Sequence, residues 1–430
     1  MPRTINDNIY NRNSHKGLFM AFANNKKLKI IAAMVYDQMA YIKGAKSFFS
    51  QSEIKGKKYG QKVSGYLPDP GTVVDGIVAN PDAINEPEVS AYINNKNSSC
   101  ETDLWNDLVD IDSFKDEIAE PRANNLALTT QKDVMAENMI RSAQAVVVTT
   151  ADFKLLTKSA AALRDLGVGG KFLSFQNPDI MGDIAESGLA KFIPQAEMQK
   201  IYGDAYLGRY SGAQQIEIAN TPIVDTTGMD AAPTISATVV KDSSNNVIGL
   251  EPIKTATGSG TGSLIVGAAY KVTGLKIRNA AGIETDRDYV IIWGKERQGG
   301  SVVNGIPELR VTVDGKGYNN ANAHIDATTL ASAISGSTAT FTLTPLLTAS
   351  KKYAIGQVRT EDSLKWDQYR FDSLPGSEDQ DVGTFDNKIT LKLMAFGDGK
   401  NGVKLLRIDL PYLAKILEPR ESVTTYLQLN

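Results

Sequence analysis

Apolar residues recur at helical spacing over about residues 26–50, where Leu28, Ile31, Val35 and Ile42 share one side of the cylinder while lysines and Asp37 take the other. The pattern predicts an amphipathic helix there, after a polar, Asn-rich and extended stretch over 1–25. The period then shortens to two. GQKVSGYLPDPGTVVDGIV (60–78) reads as two strands around PDPG, with Pro70 and Gly71 reversing the chain. Such a hairpin has too few apolar residues for a core of its own and must lie on something. EVSAYIN (88–94) reads as another strand.

DLVDIDSFKDEIAEP (107–121) has the form of a short helix capped near Asp112, and Pro121 suits the first turn of a new, long helix running to about 147. On it Leu128, Met135, Met139 and Ala143 form one stripe, the signature of core packing. Residues 149–230 alternate helix and strand. Gly167 stops a helix, KFLSF (171–175) is a strand, Asn177 and Pro178 are the N-cap and first position of a helix, and QQIEIANTPIV (214–224) closes the block as a strand. At about 231 the chain turns to Thr, Ser, Gly and Ala, with strands at TISATVV, AYKVTGLKI, DYVIIW, ELRVTV and TATFTLTP. Mixed character returns after 353 with KITLKLMAFG (388–397) and KLLRIDL (404–410). The organisation is therefore α+β, one mixed domain interrupted by a β-barrel-like or sandwich module at 231–353 that is expected to fold alone.

Composition narrows the function classes. The chain has 430 residues, 42% apolar and 22% charged, as ordinary globular proteins do. A net charge of -3 and a pI of about 5.7 give no global attraction for nucleic acid. One cysteine, Cys100, rules out an internal disulfide and cysteine-rich metal sites. IIAAMVY (30–36) is broken by Asp37, far short of a membrane span, and it begins too far in and lacks the cleavage site of a signal peptide. The distribution of charge is more telling than its sum. Residues 1–66 hold twelve Lys/Arg and three Asp/Glu, whereas 67–120 hold two and thirteen. Either two solvated faces differ, or the basic segment of one copy meets the acidic segment of another.

Candidate chemistry is sparse. TGSGTGSLIVG (257–267) suggests a dinucleotide loop, but Ser263 occupies the third glycine position and the residues that follow are poor helix formers. It reads as a loop in the β module. The Gly-Lys pairs at 294–295, 315–316 and 399–400 lack a following Ser or Thr, so none is a P-loop. His15 and His324 sit in polar, Asn-rich surroundings and are expected at the surface. Asp110, Asp112, Asp116 and Glu117 are dense enough for an acid/base pair, though an acidic helix face accounts for them as well.

Gly60 to Val63 at a hairpin arm, Ile111 to Pro121 leading into a long helix, and Gly203 to Pro222 ending the mixed block follow one another along the chain. That order resembles the major capsid protein of tailed bacteriophages, in which the long helix is the spine helix. The family pattern has Asp where this chain has Gln61, and Ser-Asn where it has Ala219-Asn220. The β insertion narrows the likeness to coat proteins of short-tailed phages of the Salmonella phage type. The resemblance implies an N-terminal arm (1–51), an extended hairpin loop with flanking strands (52–104) and a peripheral domain with the spine helix (105–148 and 370–402). It further implies an axial domain (149–230, 354–369 and 403–430) and the insert (231–353). It implies self-assembly into an icosahedral shell in the host cytoplasm and a place in the virion. The partners would be other copies, a scaffolding protein, a portal protein, weakly held double-stranded DNA and a decoration protein, with no membrane. No cofactor, metal or catalytic residue is implied. Contacts between copies are expected from Lys55, Lys57, Lys58 and Lys62 against Asp69, Asp75, Glu86 and Glu88. Some relatives crosslink through a Lys–Asn isopeptide bond; no lysine lies at the PDPG tip, and no crosslink is expected here. The competing readings are a β-rich surface adhesion protein and an acidic-site hydrolase.

Overall fold

A computed structural model describes residues 29–68, 86–103, 120–150, 152–186, 209–219, 221–241, 243–245, 247–251, 256–257, 264–298, 301–305, 309–310, 323–325, 330–369, 379–385, 389–398 and 403–429. In chain order, helix α1 (29–38) leads through a 3-10 turn (Ala40–Ile42) to a one-turn helix α2 (Gln51–Ile54). Then come β1 (Lys62–Tyr66), β2 (Glu88–Tyr92), β3 (Asn94–Asp103) and the long helix α3 (Glu120–Met139). The next block is β4 (Gln144–Val148), α4 (Phe153–Asp165), β5 (Phe172–Gln176), α5 (Pro178–Glu186), β6 (Arg209–Tyr210), β7 (Ala213–Glu217) and β8 (Ile223–Asp225). The inserted strands are β9 (Thr234–Lys241), β10 (Val247–Leu250), β11 (Ala256–Thr257), β12 (Ala269–Arg278), β13 (Glu284–Ile292), β14 (Gly294–Gln298), β15 (Ser301–Gly305), β16 (Leu309–Arg310), β17 (Ile334–Ser335) and β18 (Thr338–Pro345). The chain returns through β19 (Lys352–Thr360), β20 (Leu364–Gln368), β21 (Asp379–Phe385), β22 (Ile389–Asp398), β23 (Val403–Ile416) and β24 (Ser422–Leu429). The fold is mixed α and β, rich in sheet, with few helices.

Three large sheets and two two-stranded ones, β1-β2 and β14-β15, organise these elements. In the first, β23 runs between β22 and β3 and also pairs with β20, and β21 extends the sheet beyond β22. Helix α3 covers it. Its buried residues step by three and one along Ala123, Leu126, Ala127, Thr130, Gln131, Val134, Met135, Asn138 and Met139, a helical stripe. The polar members are satisfied in place: the Thr130 hydroxyl donates to the Leu126 carbonyl at 2.6 Å, and Asn138 Oδ1 accepts the Ile416 amide at 2.7 Å. The stripe expected from sequence is thus shifted, because Leu128 is only half-buried and Ala143 lies beyond the helix. Helix α1 is shorter than the 26–50 pattern suggested, ending at 38, with Ile31 and Val35 buried in the same core as α3.

The second sheet has the order β4-β24-β19-β5-β7-β6, with β8 also on β19. Its local signals follow sequence rules. The Asp152 side chain caps α4, Gly167 leaves it at φ +75°, and Asn177 Oδ1 accepts the Asp179 amide at 2.7 Å at the start of α5. Three groupings made from the sequence change here. Residues 403–416 and 364–368, assigned to the axial block, pair within the α3-covered sheet, while 144–148 pairs in parallel with β24. Period-two alternation marks a strand but not its partner. The segment 214–224 is two strands, β7 and β8, rather than one.

The third sheet is the insert, ordered β13-β12-β18-β9-β10-β16 with β11 and β17 attached. Its ends meet, since Asp225 on β8 is in register with Lys352 on β19. Thr226 joins them further, its amide donating to the Lys351 carbonyl at 2.9 Å and its hydroxyl to the Thr348 carbonyl at 2.7 Å. The insert does not have the sealed core expected of a unit that folds alone. Its apolar side (Ile235, Val272, Tyr289, Phe341) is continuous with Ile140, Leu163, Leu166 and Tyr426 of the second sheet and its helices. The approach is close: a Cβ on Gly294 would lie 2.0 Å from Ile140 Cγ2. The Tyr426 hydroxyl donates to the Gly267 carbonyl at 2.7 Å.

Candidate functional site

The residues proposed for contact between copies gather at a two-stranded hairpin and its base. β1 pairs with β2, placing Lys62 opposite Tyr92 and Tyr66 opposite Glu88. The 88–92 strand pairs with β1; the strand expected after PDPG, with Asp69 through Gly71 and Asp75, lies outside the described residues. Val63 and Gly65 face inward and Lys62 and Tyr66 outward, so the strand alternates as sequence spacing requires.

The base of the hairpin has a seat within its own chain. Val63, Ala91 and Ile93 pack with Phe49, Ile54, Tyr369 and Leu413 in a small separate core. Gly65 admits the Phe48 ring, which a Cβ would approach to 2.7 Å. Asp367, buried on β20, accepts the amides of Phe48 and Phe49 at 3.1 and 3.0 Å and the Ser47 hydroxyl. The Lys415 ammonium donates to the Ser90 carbonyl. Asp367 gives no sequence signal, because its partners lie over three hundred positions away.

Lys55 and Lys58 are exposed and Lys57 half-buried between α2 and β1, with Glu86 exposed just before β2. Lys62 and Glu88 meet each other at 3.1 Å, so these two are partnered within one chain. Hydrogen bonds from Ser64 and then Lys62 hold the Glu88 carboxyl below its ordinary range. Half-exposed pairs of this kind contribute about 0.2–1 kcal/mol at most. Tyr66 and Tyr59 remain exposed beside them.

His324 is buried, not at the surface as expected: Glu418 Oε1 lies 3.1 Å from its Nε2 and itself holds Arg420, whose Nη1 donates to the Asn279 carbonyl at 2.7 Å. The polar neighbours in sequence misled because the covering residues come from some ninety positions away. His15 and the carboxylates Asp110, Asp112, Asp116 and Glu117 fall outside the described residues, as do the glycines at 258, 260 and 262. The segment after those glycines is the strand β12, where a nucleotide fold would have a helix. Among the described residues no group of three His, Cys, Asp or Glu side chains is placed to hold a metal, and no helix is long and apolar enough to cross a membrane. A cleft of about 270 Å³ between α3, β8 and β14 is floored by Met139, Ile223, Val266 and Ile355 and is mainly apolar.

Beside the Glu418 cluster, Glu421 is raised above the ordinary carboxylate range by burial first and by Glu418 next, with Lys365 and the Thr360 hydroxyl opposing. A carboxyl raised in the folded state favours folding when protonated. That contribution is full below its unfolded value near 4.5 and is lost as pH rises through the higher folded value. Glu421→Gln is therefore expected to be more stable than the parent at pH 7, with the difference vanishing below about pH 4. Urea midpoints measured at both pH values check this; an equal difference at both would contradict it.

No family model and no curated protein matches the chain. Solved structures similar to it include the capsid of Ralstonia phage GP4, at 8% identity over 89% of this chain and 86% of that one, with a TM-score of 0.40. The capsid of cyanophage P-SCSP1u is similar at 9% identity over 89% and 85%, TM-score 0.39. A virus-like particle from Pyrococcus furiosus is similar at 9% identity over 93% and 97%, TM-score 0.37.

Proposed function

We propose that the chain is a structural shell subunit, a major capsid protein of the tailed-phage kind that assembles with copies of itself around a genome. The observation that carries this reading is the setting of the hairpin. Among the described residues, β1 and β2 sit with one face on Phe48, Phe49, Ile54, Tyr369 and Leu413 and leave Lys62, Tyr66 and Glu88 exposed on the other. The order of elements supports it: hairpin, long helix, helix–strand block, inserted β unit with adjacent ends, and returning strands follow the order of the sequence motifs. In this reading the α3-covered sheet is the peripheral domain, the β4–β24 sheet the axial domain and 231–351 the insertion, of the short-tailed Salmonella phage type. A near-neutral wall suits a shell that must not grip DNA, since each neutralised phosphate strengthens binding. Scaffolding, portal and decoration proteins would be its partners, and the virion its place.

Within this proposal Lys55, Lys57 and Lys58 meet the acidic stretch of another copy, including Asp69, Asp75 and Glu86, whereas Lys62 and Glu88 set the hairpin's own register. Reversing Lys55, Lys57 and Lys58 together to Glu is expected to slow assembly several-fold at low salt and to leave the monomer's melting temperature unchanged, because the three side chains pack in no core. Light scattering across a salt series, with negative-stain microscopy of the products, provides the check. Shells formed by the triple variant at the parent's rate would refute the charge pairing. A parent chain that forms no shell or tube under any condition would refute the shell reading.

A further inference from the structure

We infer that residues 39–46 form a strap that seats on the junction of the two main sheets as a two-state latch, and that the Arg359 guanidinium makes the seating all-or-none. Arg359 is fully buried on β19 and forms no salt bridge among the described residues, although the Glu361 charge favours its cation. Its charge is met by four carbonyls and two rings. Nη1 donates to Thr360 and Glu361 at 3.2 and 3.4 Å, and Nη2 to Tyr41 and Lys43 at 2.7 and 3.4 Å. The guanidinium lies 4.6 Å from the Phe175 ring centroid and 5.2 Å from that of Tyr41. Half of the acceptors and one of the rings thus belong to the strap.

A strap moved part of the way would leave a buried cation short of partners before water could replace them, so intermediate positions are disfavoured. The strap is either home or away. Burial lowers the Arg359 value to about 10, which still leaves it a cation at neutral pH, so the latch does not depend on protonation there. Other strap contacts show what it joins. The Tyr41 amide donates to Gln131 Oε1 on α3 at 3.1 Å, its hydroxyl donates to Gln357 on β19, and the Trp366 amide on β20 donates to the Lys46 carbonyl at 2.9 Å. Gly44, at φ +80°, makes the bend between these attachments, where a Cβ would meet Leu173 at 2.8 Å. The segment thus bridges the α3-covered sheet and the β4–β24 sheet, which also meet directly through Leu173, Phe175 and the Gln357 amide on the Asn138 carbonyl. The inference does not depend on the shell reading.

Hydrogen exchange followed by mass spectrometry on the full chain tests it, comparing the parent with Arg359→Met and Tyr41→Phe. Methionine fills the space without needing acceptors, so the variant should keep the parent's melting temperature within a few degrees. Strap peptides should exchange about tenfold faster or more, with α3 and β24 unchanged. Tyr41→Phe keeps the carbonyls and the ring and should leave strap exchange within about threefold. Unchanged strap exchange in Arg359→Met overturns the latch. So does equal acceleration in α3 and β24, or failure of that variant to fold, since each would make Arg359 a support of the whole junction.

Discussion

Gly356→Ala is expected to destabilise the protein by about 2–6 kcal/mol, the sum of overpacking a filled core and stranding a buried hydrogen bond. Gly356 lies at the middle of β19, in register with Thr425 on β24. A Cβ there would stand 2.0 Å from Gln176 Oε1 and 2.6 Å from Thr425 Oγ1. Those two atoms are already engaged, the Thr425 hydroxyl donating to Gln176 at 2.9 Å, and both residues are fully buried. The amide cannot swing aside without leaving its partner unsatisfied. Urea unfolding of Gly356→Ala against Gly182→Ala separates this from a generic glycine effect. Gly182 is inside α5 with nothing within 4 Å of a new Cβ, and alanine there should add up to about 1 kcal/mol of stability. Equal losses at both positions would refute the steric argument.

Trp366→Ala is expected to cost about 3–5 kcal/mol, the usual range for emptying a buried aromatic site. Its indole stacks on the Tyr412 ring, with centroids 5.0 Å apart and planes 6° from parallel, where β20 meets β23. Ile31, Val35, Val134 and Met135 share the same core, so the cavity would lie beneath both α1 and α3. Trp366→Phe keeps most of the stack and should cost less than about 1.5 kcal/mol. Denaturation followed by far-ultraviolet circular dichroism measures both, and a cost below about 1 kcal/mol for alanine would mean that the site collapses freely.

Much of the local structure was legible because its causes are local. Gly167, Asn177 with Pro178, and Pro121 mark helix ends through hydrogen bonds or dihedral limits spanning a few residues. The strands of the insert were readable for a similar reason: Thr, Ile, Val and Phe alternate over clean turns, and β9 and β18 fall at TISATVV and TATFTLTP. Pairing across distance was not readable. The pairing of β1 with the 88–92 strand rests on the seat under Val63 and Ala91, built from Phe49, Tyr369 and Leu413, the last two some three hundred positions away. His324 illustrates the same limit, since its burial is imposed by Glu418 and Arg420. Of the candidate site, the cluster of charges could be seen in the sequence. That Lys62 and Glu88 satisfy each other within one hairpin could not, because Ser64 and the strand register set their geometry.

The position of β24 has a kinetic consequence. Residues 422–429 occupy the interior of their sheet, with β4 in parallel on one side and eight residues of β19 antiparallel on the other. Until synthesis has passed residue 429, β4 and β19 each present an open edge of unpaired amides and carbonyls. Those partners are separated from it by more than two hundred and by about seventy residues, a high contact order that slows closure. The sheet can therefore close only after nearly all of the described chain exists. Nascent chains halted anywhere between 360 and 422 would carry two sticky edges with no strand to fill them, so crowded synthesis of this protein sets a race between its own last strand and a neighbour's exposed edge.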